Sequence, residues 1–343
     1  MIGYYAHHHG RGHVQRAECI AARLSAPMTI LTSAAPGAPR ADGGIADWVA
    51  LARDDNGPVR GDPSAGGVLH WAPPGHAGLR RRMATLAAWI DRAQPAAMVV
   101  DVSVEVAALC RAMGVPVVVV AMQGDRTDRA HRLGYDLADA LLACWPGALA
   151  DPGWPRNWTE KTCFTSAFSR FDTRITFPEP RASGRRRVAV LMGAGGTDVG
   201  AEQIAAAAAA TPDWDWDVLG GTAGWCADPW PVLRRADVVV THAGQNALAE
   251  VAAARTPAVV VPQARPHGEQ TATAALLDRA GLATVRRDWP APATWPGLLD
   301  ETAAADGSRW ALWCPGDGAE RAARLLDRIA GGIRDESAPC VPR

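Results

Sequence analysis

Residues 236–262 read ADVVVTHAGQNALAEVAAARTPAVVVP. The run Val238–Thr241 is continuous and β-branched, the pattern of a strand buried on both faces. It ends in Thr241-His242-Ala243-Gly244. A helical stretch, Gln245–Ala254, then leads to a second apolar run, Ala258–Val261. Strand, glycine turn, helix and strand make a βαβ unit of a parallel sheet. At such a turn the first helical amides and the positive end of the helix dipole face one edge of the sheet and hold an anion. The pattern predicts a diphosphate site formed by His242, Ala243, Gly244, Gln245 and Asn246, with His242 as an added donor. Glu250 lies about one and a half turns into the helix, in reach of a ribose diol. The loop after the second run, PQARPHGEQ from Pro262 to Gln270, carries Arg265, Glu269 and Gln270, which suit sugar hydroxyls. The plainer alternative is a charged surface loop entering a helix.

The same alternation runs outward from this stretch. Apolar runs recur at Ile2–Ala6, Met28–Thr32, Ala97–Val100, Val115–Ala121, Arg187–Met192 and Trp216–Leu219. Helical stretches such as His13–Leu24, Val104–Met113 and Gln270–Ala280 separate the strands. The class is α/β, with two doubly wound, Rossmann-like domains. The junction falls at Asp172–Arg187, where prolines, a glycine and an arginine cluster give linker composition. The domains are expected at 1–170 and 185–320. An amphipathic helix at 318–333 is expected to dock across both. The stretch Ala34–Gly78, rich in Gly, Pro and Asp, reads as loop with one short strand near Trp48–Ala52.

Three further segments carry chemistry. First, strand Ile2–Ala6 runs into HHHGRGH, where Gly10 and Gly12 permit a tight turn and His13 opens a helix. A histidine at a helix N-terminus, beyond the C-terminal edge of a strand, is disfavoured as imidazolium and suits a neutral base. The alternative is a turn with a polar helix starter. Second, Asp101 ends the run Val99-Val100, on the same sheet edge as His13. A carboxylate there is costly without a partner. It either orients the His13 imidazole or caps the helix starting near Ser103. Third, MGAGGT from Met192 to Thr197 places Gly195, Gly196 and Thr197 in an anion-friendly loop. His7, His8 and His9 suggest a metal, yet consecutive residues at a strand end point different ways and cannot all converge on one ion. The D-x-D of Asp213–Asp217 sits at a strand start and is not read as a metal site.

The composition bounds the partners. The chain has 343 residues and a formal net charge of −1, with no basic surplus for nucleic acid. Arginine supplies every basic residue except Lys161. Seven scattered cysteines form no C-x-x-C pair, which reads as reduced thiols in the cytoplasm. No apolar run approaches a membrane span. The arginine-rich, apolar stretch Arg80–Trp89 reads as a solvated face, with peripheral membrane contact and a lipid-linked acceptor as its alternative.

Gly10-Arg-Gly12-His13, Asp101 on VVD and HAGQN…E…P…EQ together resemble nucleotide-sugar glycosyltransferases of the GT-B fold. The similarity is to the family 1 and family 28 types, which include plant and macrolide glycosyltransferases and the lipid II N-acetylglucosaminyltransferase. The resemblance implies two domains facing a cleft and metal-independent, inverting transfer from a UDP- or dTDP-type sugar to an acceptor hydroxyl. It implies no cofactor beyond that co-substrate, and a small-molecule or lipid-linked acceptor. By motif, His13 would be the base and Asp101 its partner. His242, Gly244, Gln245 and Asn246 would hold the diphosphate, Glu250 the ribose, and Glu269 and Gln270 the donor sugar. Gly12 and Arg265 would lie close by. Gln245-Asn246 departs from the small or hydroxyl residues of many relatives. A nucleotide-sugar hydrolase or 2-epimerase of the same fold is the alternative, since GRGHVQR, with Arg16, also resembles that group.

Overall fold

The computed structural model describes residues 1–34, 44–150, 153–174, 184–193, 198–224 and 226–332. These form two compact units. The first comprises residues 1–122, 126–165 and the C-terminal segment from Gly318; the second comprises residues 123–125 and 166–317.

The first unit contains β1 (Ile2–Ala6), α1 (Gly12–Ala21), β2 (Met28–Thr32), β3 (Ile45–Ala50), α2 (Ala77–Ala93), β4 (Ala97–Asp101) and α3 (Val104–Ala112). It continues with β5 (Val117–Val120), α4 (Arg129–Leu137), β6 (Ala140–Ala143), α5 (Arg156–Glu160) and β7 (Thr162–Phe164). Its seven parallel strands lie in the order β3-β2-β1-β4-β5-β6-β7. β1, β2, β4, β5 and β6 are buried throughout, as continuous Val/Ile/Leu runs require of a sheet covered on both faces. The strand expected near Trp48 is β3, on the sheet edge. The short runs ALLA and TCF that form β6 and β7 had no distinctive sequence pattern.

Local chemistry sets the helix ends. Ser103 caps α3 by accepting the Val106 amide, and Asp128 caps α4 by accepting that of His131. The cap alternative for Asp101 is therefore taken by Ser103. The lone lysine closes α4, with Lys161 Nζ donating to the carbonyls of Asp136 (3.0 Å) and Ala138 (2.9 Å).

The second unit contains β8 (Arg186–Leu191), α6 (Ala201–Ala209), β9 (Trp214–Leu219), α7 (Trp230–Arg235), β10 (Val238–Thr241) and α8 (Gln245–Ala254). β11 (Ala258–Val260), α9 (Glu269–Arg279), β12 (Thr284–Val285) and α10 (Trp295–Ala303) follow. Its five parallel strands run β12-β11-β10-β8-β9. The D-x-D carboxylates begin β9, where Asp215 pairs with Arg185 (3.1 Å) and Asp217 with Arg187 (3.6 Å). Asp213 precedes β9 and Asp215 is its second residue, near the edge opposite the one where ligands bind in open α/β sheets, while Asp217 lies mid-strand. α11 (Gly318–Ala330) packs on α1 and β4 of the first unit. Its Asp327 accepts the amides of Ser25 (3.1 Å) and Ala26 (3.3 Å).

Both sheets change direction once. In the first, the chain steps outward from β1 to β3 and then returns to β4 on the other side of β1. In the second, β8–β9 go one way and β10–β12 the other. The crevices at the C-terminal ends of β1/β4 and β8/β10 are therefore the two switch points.

Gly3 on β1 shows how tightly the first sheet is covered. A Cβ there would stand 2.8 Å from the Trp89 ring and collide with the Met98 sulfur. Gly3→Ala should cost about 1–3 kcal/mol of stability by overpacking, measured as a lower denaturation midpoint at unchanged m-value.

Candidate active site

At the first switch point β1 and β4 pair in register, with Ala6 opposite Asp101. Gly10, at φ +77°, turns the chain after β1 in a conformation favoured by glycine. Gly12 takes ordinary helical geometry as the first residue of α1. His13 follows it, and its Nδ1 lies 2.9 Å from Asp101 Oδ1. The other carboxylate oxygen, Oδ2, accepts from Arg16 Nη1 at 2.6 Å and from the Tyr4 hydroxyl at 2.9 Å. Asp101 is fully buried. Burial alone would raise its pKa; the Arg16 charge, then His13 and Tyr4, outweigh this and hold it well below the usual carboxylate range. A permanent anion beside Nδ1 selects the tautomer with the proton on Nδ1, leaving the Nε2 lone pair to accept a proton.

Arg16 and Tyr4 are thus parts of this site. The GRGHVQR segment exposed Arg16 to sequence reading. Tyr4 looked like one more buried strand residue. Val102, directly after Asp101, has φ +66°, a rare and strained conformation for a β-branched side chain and one that clusters at functional sites.

The His7–His9 run folds differently from expectation. His8 Nε2 and His9 Nε2 both approach Asp55 Oδ2, at 3.1 and 3.3 Å. Two of the three rings do converge, because Asp55 comes to meet them from the loop after β3. The donor atoms of His8, His9 and Asp55 lie within 4.8 Å of one another, close enough to share a metal ion. Protein groups already engage them. Arg82 Nη2 approaches His8 Nδ1 (3.3 Å) and favours the proton on Nε2, while Arg53 Nε donates to Asp55 Oδ1 at 2.9 Å. An ion between the Nε2 atoms and Asp55 Oδ2 would have to replace the Nε2 proton of His8 and compete with Arg53 Nη2, which also donates to Oδ2.

At the second switch point, α8 starts from Gly244, a cap residue with no side chain, and its first intrahelical bond is Leu248 N to Gly244 O (3.0 Å). The amides of 245–247 therefore have no acceptor inside the helix. Gln245 and Asn246 stand half-buried in this first turn. Gly195, Gly196 and Thr197 lie outside the described residues. Gly193, just before them, must be small: a Cβ there would come within 2.8 Å of His242 Nε2.

His242 is buried, and its Nδ1 accepts from the Gly244 amide (3.0 Å) and from Gln270 Nε2 (3.1 Å). The proton of the neutral ring therefore sits on Nε2, which is buried and meets no hydrogen-bond partner among the described residues. Burial, then the Arg265 charge, lowers the His242 pKa to about 4. His242 is a neutral N–H donor beside the glycine turn after β8.

Gln270 is committed to this arrangement. Its Oε1 accepts the amides of Ala243 (3.2 Å) and Gln263 (2.9 Å), while its Nε2 fixes His242. It pins two loops and one tautomer. Arg265 lies on Gln263 Oε1 at 2.9 Å, and Glu269 opens α9 half-buried. Glu250 is buried and bonded to Arg170 Nε (2.9 Å), which also donates through Nη1 to the Ala227 carbonyl (2.7 Å). No sequence pattern linked Arg170 to Glu250 across 80 residues.

Residues 229–294, spanning this second site, match the family model of the Glycosyltransferase family 28 C-terminal domain. Among solved structures, the glycotransferase of kitacinnamycin is 16% identical, with 96% of this chain and 98% of that one covered at a TM-score of 0.66. CalG4, the calicheamicin glycosyltransferase, is 16% identical over 97% and 99% at 0.63. MurG of Acinetobacter baumannii is 17% identical over 95% and 99% at 0.60. No curated protein sequence matches the chain. The fold is GT-B, and the second unit carries the glycosyltransferase domain signature.

The Gln270 clamp is open to direct observation. In the wild type, nitrogen chemical shifts of His242 should report the Nε2–H tautomer, neutral down to pH about 4. In Gln270→Glu the carboxylate cannot donate to Nδ1, so the proton should move there and the His242 pKa should rise. An unchanged tautomer in the variant would show that Gln270 does not set it.

Proposed function

We propose that the protein is an inverting, metal-independent glycosyltransferase that moves a sugar from a nucleotide diphosphate sugar, of UDP or dTDP type, to an acceptor hydroxyl. The observation that carries this reading is the His13–Asp101 pair at the β1/β4 switch point. A ring whose Nδ1 faces a buried, permanently ionised carboxylate presents Nε2 as a base. His13 removes the hydroxyl proton, and the resulting oxygen attacks the anomeric carbon. The bond from that carbon to the diphosphate oxygen breaks as the new bond forms, which inverts the configuration. Imidazolium formed on His13 is stabilised by Asp101.

The leaving diphosphate gains one negative charge on top of the two its phosphates already carry. The α8 amides and the His242 N–H are preorganised donors for them, in the manner of an oxyanion hole. Glu250, steadied by Arg170, is suited to a ribose diol, and Glu269 to the sugar. Metal independence is supported by Asp215 and Asp217 of the D-x-D stretch, each of which is ion-paired with an arginine. The nucleotide sugar is then the only co-substrate. A cytoplasmic setting suits the cysteines, none of them bridged among the described residues.

His13→Ala should lower turnover by about 10²–10⁴-fold with nucleotide affinity nearly unchanged, measured by steady-state kinetics beside calorimetry. Asp101→Asn should lose turnover as well. It should also lose stability, on the order of 3–5 kcal/mol, because Arg16 is left as an uncompensated buried charge. His13→Ala should spare the fold, so the two variants separate base from scaffold. Donor sugar hydrolysed or epimerised without any acceptor would replace transfer with one of those reactions.

Activity should survive EDTA. Loss of activity on chelation with recovery on magnesium or manganese would overturn metal independence.

A further inference from the structure

A cavity of about 290 Å³ opens beside the first site, lined chiefly by Tyr5, His7, Trp71, Leu79, Met83 and Val102. Its place is set by the same two strands as the catalytic pair. His7 follows β1, with its ring 6.0 Å from that of His13, and Val102 follows Asp101. The volume is at the low end of ligand cavities, room for one or two rings.

Charged residues also reach the wall, and each is paired. Arg82 is 1% exposed, and each of its three nitrogens is engaged inside the fold. Nε donates to Ala52 O (2.9 Å) and Nη1 to Tyr5 Oη (2.8 Å), while Nη1 also forms an ion pair with Asp54 Oδ2 at 2.8 Å. Nη2 reaches Ser33 Oγ (2.7 Å) and His8 Nδ1 (3.3 Å). Glu105 Oε1 accepts the amides of His70 (2.7 Å) and Trp71 (2.9 Å), and its Oε2 accepts the Ser103 hydroxyl (2.8 Å). Asp55 faces Arg53, His8 and His9. The Trp71 indole N–H donates to Asp54 O at 2.7 Å. His7 is neutral: burial, then His13, His8 and His9, lowers its pKa to about 3. Its Nδ1 accepts the His9 amide (3.3 Å), which leaves an N–H on Nε2 for an oxygenated ligand.

We propose that this cavity receives the acceptor, and that the acceptor is a neutral, hydroxylated molecule of one or two aromatic rings and not an anionic or lipid-diphosphate-linked one. An anion here would meet an Arg82 already ion-paired with Asp54, and would face the carboxylates of Asp54, Asp55 and Glu105. Buried without a partner, its charge is strongly disfavoured. A neutral ring loses nothing of this kind and gains burial against tryptophan, methionine and imidazole. Of the three arginines at the start of α2, Arg80 and Arg81 are exposed, as the sequence suggested, while Arg82 turns to the inside of the fold.

The role as acceptor site rests on the glycosyl-transfer reading; the preference for neutral rings does not. The test is calorimetry at pH 7.5 with 2-naphthol and its anionic counterpart 2-naphthoate on the full chain. Naphthol should bind at least about tenfold tighter than naphthoate. Met83→Trp should fill the cavity and abolish naphthol binding, with Leu79→Phe as the milder variant if the first does not fold. Asp54→Asn should narrow the ratio by unbalancing the Arg82 charge. Equal or tighter naphthoate binding, no binding of naphthol, or naphthol binding indifferent to both filling variants would overturn the proposal. If naphthol binds as expected but no nucleotide sugar in a donor panel yields a naphthyl glycoside, the acceptor role falls while the cavity's preference stands.

Discussion

A fully buried carboxylate organises the first unit. Asp101 ends a strand that is buried along its whole length, and a lone charge there would be untenable. Three residues on two elements supply its compensation: Tyr4 from β1 and both Arg16 and His13 from α1. Each contact constrains geometry as well as charge. Arg16 neutralises the group, Tyr4 ties it to the neighbouring strand, and His13 is left with its free nitrogen facing away from the protein anion. The register Ala6↔Asp101 brings all three within reach, so the strand pairing and the site depend on each other.

The two site histidines show how the same ring acquires opposite chemistry. His13 has a carboxylate against Nδ1, so its other nitrogen accepts. His242 has a backbone amide and the Gln270 amide against Nδ1, so its other nitrogen donates. Burial among neutral groups and the nearby Arg265 keep His242 uncharged. One ring presents an acceptor nitrogen and the other an N–H, and the difference lies in what faces Nδ1. The His242 arrangement rests on Gln270, whose Oε1 accepts two backbone amides and whose Nε2 donates to the ring.

Strain and saturation mark where the first unit is shaped for a ligand. Val102 holds a left-handed conformation between the buried carboxylate and the cap of α3. Arg82 is hydrogen-bonded through all three of its nitrogens and ion-paired with Asp54 within the wall of the adjoining cavity. A charged network that is complete in itself behaves toward a ligand as a neutral surface, and it holds the loop after β3 against α2 without offering an ion a partner.

The strand runs, their helices and the glycine turns were legible in the amino-acid order because burial on both faces demands continuous Val/Ile/Leu segments. The glycine turn and start of α8 were legible for the same kind of reason: local backbone geometry places its amides. His13 and Asp101 could be paired on paper since both stand at C-terminal strand edges. Partners that come from far along the chain were not legible. Arg170 beside Glu250, Tyr4 beside Asp101, Asp55 beside His8 and His9, and the partners of Arg82 are set by strand order and loop packing, which no local pattern encodes. The same is true of the contacts by which Gln270 clamps His242 and two loops. Residue type and spacing decided which groups could do chemistry; the tertiary structure decided which nitrogen carries the proton and which charges are already spent, because those depend on neighbours only folding supplies.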